Sequence, residues 1–129
     1  MRFTLSLLLV TSIHSSAFAG DAANGEQVYK VCLVCHAVGT GAKNKVGPDL
    51  NGVVGRKWGA VDGFTYSADL ADGKTMGKVW DEDTLNKYIE NPKTVAPKGK
   101  MPFVGLKDPT KREDLIAYLK QFDALGVKK

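Results

Sequence analysis

Two cysteines and a histidine stand within five consecutive residues, Cys32-Leu33-Val34-Cys35-His36, in a chain with no other cysteine and one other histidine. The spacing C-x-x-C-H is the attachment pattern of a c-type haem. It constrains the fold more than any other stretch. Two thiols on one turn can form thioether links to a porphyrin, the next imidazole can bind the iron, and the rest of the chain must wrap a large apolar macrocycle. Three rival uses of the motif fit less well. A zinc site takes about four Cys, His or carboxylate ligands, and two cysteines with one histidine fall short. A thioredoxin-like redox pair needs a strand before the first cysteine and a low-pKa thiol at a helix start, whereas the residues before Cys32 have helical spacing. A structural disulfide leaves the adjoining histidine unexplained.

The other histidine, His14, falls in a segment with the pattern of a secretory signal peptide. It has a positive start at Arg2, an apolar stretch from Leu5 to Ile13, and small residues ending Ala17-Phe18-Ala19. The apolar stretch is interrupted by Ser6, Thr11 and Ser12 and is shorter than the roughly 20 residues of a membrane span. Residues 1–19 are therefore expected to be cleaved, leaving residues 20–129 as one exported domain that keeps His36 alone. In a bacterium that places it in the periplasm. A domain of this size can bury only a modest core, and an enclosed haem would supply much of it.

Eighteen Lys and Arg against 14 Asp and Glu give a formal net charge of +4. So mild a charge acts through its distribution. Lys30, Lys43, Lys45, Lys93, Lys98, Lys100 and Lys107 lie on both sides of the candidate ligands. Gathered on one rim, they would form a docking face for an acidic partner. Scattered, they would be ordinary solvated charges, and the linear pattern leaves both arrangements open. Acids such as Asp49, Asp62, Asp69, Asp72 and Asp81 are interleaved with them, no recognition motif is present, and nucleic-acid binding is not expected.

Val28, Tyr29 and Cys32 predict a helix from Asp21 to about Cys32, with Asp21 or Asn24 as its N-cap. From Ala37 to Gly63, glycines at 39, 41, 47, 52, 55, 59 and 63 with Pro48 predict irregular loop. A loop of this length is uncommon in a compact domain unless it serves a function such as wrapping a cofactor. A short helix is weakly signalled at Ser67 to Ala71. A stronger one begins at Asp81, with Leu85, Tyr88 and Ile89 on one face, and ends at Asn91-Pro92. Asp108-Pro109 starts a last helix with the buried stripe Leu115, Ile116, Leu119 and Phe122. Three main helices, long glycine-rich loops and almost no alternating pattern predict an all-α domain.

Haem iron has two axial positions, and the occupant of the second separates a closed electron carrier from an open enzyme or sensor. Beyond residue 19 the methionines are Met76 and Met101. A methionine is commonly core filler. Met101 lies in Lys98-Gly99-Lys100-Met101-Pro102-Phe103, a loop without helical period, and this context favours it over Met76.

The residues from Gly20 to Phe122 closely resemble the class I c-type cytochromes, that is, mitochondrial cytochrome c and its soluble periplasmic bacterial relatives. The likeness is carried by Gly25 and Tyr29 before the C-x-x-C-H motif, Gly47-Pro48-Asp49-Leu50, Gly55-Arg56-Lys57 and Gly63-Phe64-Thr65-Tyr66. It continues through Trp80, Tyr88-Ile89-Glu90-Asn91-Pro92, Lys100-Met101 and the run Arg112 to Leu119. It implies the small cytochrome c fold wrapped around one covalent haem c bound through Cys32 and Cys35. It also implies that Met101 is the sulfur ligand opposite His36 and that the Pro48 carbonyl accepts a hydrogen bond from that histidine. Arg56, Tyr66 and Trp80 resemble the groups that hold an inner haem propionate, Tyr88 the tyrosine beside the methionine ligand, and Phe103 the aromatic over the haem edge. Gly25 and Tyr29 would pack on the last helix near Leu115 and Tyr118. The chain departs from mitochondrial members in having Gly99 for a threonine, Val31 for a lysine, and a longer segment between Tyr66 and Trp80.

The function so implied is a monomeric, soluble, mono-haem carrier, not an enzyme. It would shuttle single electrons between periplasmic or membrane-bound redox complexes that dock transiently on Lys30, Lys45, Lys93, Lys100 and Lys107. The alternative is a haem enzyme or gas sensor with an open sixth iron position. A tethered subunit of one particular oxidase or dehydrogenase would share the haem chemistry and differ only in partners.

Overall fold

Three aspartates fix where the main helices begin. Asp21 accepts the backbone N–H groups of Ala23 and Asn24, Asp81 that of Thr84, and Asp108 those of Thr110 and Lys111. Each supplies an oxygen to N–H groups that have no partner inside the helix. The computed structural model describes residues 20–129, so the expected signal peptide lies outside the described residues. Five helices follow in order: α1 (Ala22–Tyr29), α2 (Ala68–Thr75), α3 (Glu82–Glu90), α4 (Pro92–Val95) and α5 (Pro109–Lys120). The described residues contain no strand, only isolated bridges pairing Lys57 with Val79 and Phe122 with Lys128.

The all-α expectation holds, with three local differences. The first helix stops at Tyr29, and tighter turns carry the chain on: the N–H of Cys32 donates to Tyr29 O at 2.8 Å and that of His36 to Cys32 O at 2.9 Å. The weakly signalled second helix runs on to Thr75. Tertiary packing sustains it, because a Cβ at Gly73 would come within 2.1 Å of the Trp58 ring, so the helix lies flat on that indole. The third difference is α4. Pro92 cannot continue α3, yet its fixed φ suits a first helical position, and Asn91 caps the new turn through Lys93 N.

Helices α1 and α5 form the frame. A Cβ at Gly25 would stand 1.9 Å from Asp114 O, so the two backbones meet where only glycine fits. The Tyr29 and Tyr118 rings lie beside that crossing with centroids 5.4 Å apart, as the resemblance implies. Asp114, itself buried, accepts the backbone N–H of Asp21 at 2.7 Å and ties the start of the domain to α5. The stripe Leu115, Ile116, Leu119 and Phe122 is buried throughout. On the other side of α5, buried Arg112 donates to Asn86 Oδ1 on α3 and to the carbonyls of Leu106 and Lys107. That guanidinium joins α5, α3 and the segment after Met101.

Replacing Gly25 by alanine should gain helix propensity yet lower the stability of the haem-loaded protein by about 1–3 kcal/mol, because the added methyl forces the crossing apart. Urea unfolding followed by circular dichroism measures this, and an unchanged midpoint would mean that the helices do not touch at Gly25.

Candidate haem site

The turn after α1 delivers the motif. Cys32 and Cys35 are both half-buried and are not joined to each other. Burial first, and the neighbouring Cys35 second, push the Cys32 thiol up to about 11. That is the reverse of the low-pKa thiol a redox pair requires. Among the described residues no three or more His, Cys, Asp or Glu side chains are grouped as a metal cluster.

His36 is held from behind. Its Nδ1 lies 2.7 Å from Pro48 O, and as the carbonyl can only accept, Nδ1 carries the hydrogen and Nε2 keeps its lone pair. Burial lowers the imidazole pKa, and Arg56 and Lys45 add to this, while the Pro48 bond opposes it. The ring is thus held neutral, the form that binds a metal. The loop reaches it because of Gly47, where a Cβ would be 2.4 Å from His36 Cε1. The N–H of Gly47 also donates to Cys35 O at 2.8 Å, binding loop and motif together.

Two methionines separate cleanly. Met76 caps the end of α2 and is 69% exposed, whereas Met101 is half-buried beside α3. The Tyr88 hydroxyl lies 3.9 Å from Met101 Sδ, where it can donate to the sulfur. Burial pushes this phenol up to about 12, so it remains a donor. Aromatic rings line the space behind it: Trp80 packs on Tyr88 at 4.8 Å between centroids, and Trp58 stacks on Trp80 at 4.6 Å. Phe103, two residues after Met101, is half-buried and packs against the core.

Arg56 and Trp80 come together on a two-residue ribbon, in which Trp80 N–H donates to Arg56 O and Trp58 N–H to Lys78 O. The Arg56 guanidinium donates through Nη1 to Asn51 O at 2.9 Å and stands 3.7 Å from Asp49, while its Nε is buried without a partner in the protein. Tyr66 accepts the Val61 N–H at 3.1 Å and keeps its own hydrogen to give. The structure therefore gathers a cationic donor and a hydroxyl donor near one another, as a buried carboxylate would require. Sequence reasoning overlooked Trp58, although its position two residues after Arg56 places both side chains on the same face of an extended segment. It also overlooked Asn51, for which the sequence offered no signal.

These residues fit a covalently held haem. Two thiols stand on one turn, a neutral imidazole presents Nε2, a thioether is oriented by a hydroxyl, and an orphaned guanidinium N–H awaits an anionic oxygen. Comparison with known proteins agrees. The cytochrome c family model matches residues 22–123. Cytochrome c2 of Blastochloris viridis is 49% identical over 128 residues, covering 99% of this chain and 98% of that one. Cytochrome c-550 of Ancylobacter novellus is 50% identical over 106 residues, covering 82% and 99%. The solved structure of cytochrome c2 from Rhodospirillum centenum superposes with a TM-score of 0.76 at 38% identity, covering 81% of this chain and 99% of that one. The chain belongs to the cytochrome c family, and it is an electron carrier, not an enzyme, that holds haem c covalently through Cys32 and Cys35.

Proposed function

We propose that His36 and Met101 are the axial pair of the haem iron and that the mature chain, residues 20–129, is a soluble monomeric shuttle of the bacterial periplasm. The single observation that carries this reading is the pairing of supports: Pro48 O on His36 and the Tyr88 hydroxyl on Met101. Each candidate ligand atom is oriented by a neighbour that does not compete for the iron. When bound, the haem supplies one iron that alternates between ferrous and ferric states.

The chain's own residues set the terms of that exchange. Pro48 makes the imidazole more basic by accepting its Nδ1–H. Tyr88 keeps the Met101 sulfur in place, and a thioether ligand favours ferrous iron and raises the potential. Trp80, Tyr88 and Phe103 exclude water, which disfavours the added charge of the ferric state. Arg56, Tyr66 and Trp80 are the groups offered to a propionate. Gly99 has no side chain to add to that set; its carbonyl accepts the Lys93 ammonium instead. Supports that stay in place in both oxidation states keep reorganisation small.

Electron carriers of this kind meet redox complexes transiently, and the proposed docking face consists of Lys30, Lys45, Lys93, Lys100 and Lys107, all exposed. Three of them are tethered near the site in a way that supports this reading. Lys45 Nζ donates to Leu33 O inside the motif at 2.6 Å, Lys107 Nζ to Glu90 O at 2.6 Å, and Lys93 Nζ to Gly99 O. Val31, Leu33, Val34 and Val46, next to Lys30 and Lys45 in sequence, are exposed as well. No helix among the described residues is long and apolar enough to cross a membrane.

Met101→Ala should abolish the weak near-infrared sulfur-to-ferric-iron band and open the iron to carbon monoxide, while Met76→Ala keeps the band. Retention of the band in Met101→Ala would overturn the axial assignment. With an isolated terminal oxidase as acceptor, the second-order oxidation rate of the ferrous protein should fall about tenfold as added salt shortens the screening length from ~30 to ~8 Å. Lys45→Glu with Lys100→Glu should lower the low-salt rate and flatten that dependence. A salt profile identical to the parent's would remove these lysines from the docking face.

A further inference from the structure

Asn51 is a polar side chain 7% exposed, and both its amide oxygen and its amide nitrogen have a hydrogen-bond partner. Its Oδ1 accepts the Gly39 N–H at 2.8 Å and its Nδ2 donates to Gly39 O at 3.0 Å, so one amide closes a ring with one residue's backbone twelve positions away. Its own N–H donates to Asp49 Oδ1 and its carbonyl accepts Arg56 Nη1. Next to it, Leu50 N–H donates to Ala37 O at 2.9 Å. The loop from Gly39 to Asn51 is otherwise irregular, and Pro48 stands within it, three residues from the clamp. Two backbone bonds on either side of Pro48, from Gly47 N–H to Cys35 O and from Leu50 N–H to Ala37 O, tie the loop to the motif, and the Asn51 clamp closes it on Gly39.

A second contact braces the clamp from outside. After α5 the chain turns back on itself: Asp123 accepts the N–H groups of Leu125 and Val127, and its own N–H donates to Val127 O. The tip of this turn is Gly126, at φ +78, where a Cβ would fall 2.2 Å from Gly39 O and 2.7 Å from Asn51 Nδ2. Thr40 Oγ1 donates to Gly126 O at 3.5 Å, and a Cβ at Gly52 would be 3.0 Å from Ala124 N. The C-terminal turn therefore sits directly on the Gly39–Asn51 pair.

We propose that Asn51 is a positioning residue for the His36 side of the iron, acting through Pro48, and that the turn 123–127 seated on Gly39 holds Asn51 in place. This rests on His36 being an iron ligand, as proposed above. The physical reasoning is short. Closing the loop restricts the carbonyl of Pro48 to one location, and the strength of its bond from Nδ1 depends steeply on distance and angle. A stronger bond makes the imidazole a better donor to the iron, which stabilises the ferric state and lowers the potential. Loosening the clamp has the opposite effect. Residues that never touch the haem thereby set the potential.

The test uses the haem-loaded protein and two readouts, the midpoint potential and the paramagnetically shifted Nδ1–H resonance of His36. Asn51→Ala should raise the potential and speed exchange of the Nδ1 proton. Gly126→Ala, which crowds Gly39 O and Asn51 Nδ2, should shift both in the same direction as Asn51→Ala. Gly25→Ala serves as the comparison for lost stability, since it strains the α1–α5 crossing without touching the Gly39–Asn51 pair. If Asn51→Ala lowers stability as Gly25→Ala does but leaves potential and resonance at parent values, Asn51 is structural only and the proposal fails. If the parent itself shows no shifted His36 ring signals, the ligand assignment fails, and this proposal with it.

Discussion

The bond from His36 Nδ1 to the Pro48 carbonyl is the point at which the two halves of this chain's design meet. One half is helical and fixes the motif by backbone turns that continue from α1. The other is a long loop with little regular backbone pairing of its own. A side chain held only by its own turn would rotate about χ1 and χ2, and an imidazole free to rotate is a poor metal ligand. The Pro48 carbonyl removes that freedom and assigns the tautomer in a single contact. Gly47 permits it, since any side chain there would occupy the ring's position.

The loop needs the helical frame to hold against, and the frame is rigid because it is close. Where α1 crosses α5 the separation is set by backbone atoms, and the aromatic rings of Tyr29, Tyr118 and Phe122 fill the space on one side of the contact. Arg112 carries that rigidity to α3 and to the segment following Met101. Both candidate ligands are thus referred to the same pair of helices, His36 through the end of α1 and Met101 through Tyr88 on α3. With a core of this size, the aromatic residues Trp58, Trp80, Tyr88 and Phe103 are part of the fold as well as of the candidate site.

Much of this arrangement was legible in the sequence. The motif, the three aspartate caps and the α5 stripe follow from residue type and spacing, because each depends on neighbours within one or two turns. Loop context favours Met101 over Met76, while the proposed roles of Pro48, Arg56, Tyr66, Trp80, Tyr88 and Phe103 come from family likeness, a pattern beyond residue type and spacing. What stayed hidden depends on distant contacts. Trp58 reads as a lone aromatic in a glycine-rich stretch until Gly73 and Trp80 pack against it. Asn51 reads as a loop asparagine, since neither Gly39 nor Gly126 is near it in sequence. The length of α2 was missed for the same reason: that helix is sustained by packing, while its own composition carries only a weak helical signal.

The tethers on Lys45, Lys93 and Lys107 bear on how such a surface meets another molecule. A backbone carbonyl fixes an ammonium group in place but has no formal charge with which to neutralise it. Each of these side chains is therefore held by a neutral partner, and gives up rotameric freedom in the unbound protein. Long flexible lysines ordinarily lose that freedom on contact, a cost of ~0.5–1.5 kcal/mol for each one immobilised. Here the ordering has already taken place during folding. On the docking face proposed above, an approaching surface would meet a charge pattern that is set in advance, and recognition would require little adjustment from this partner.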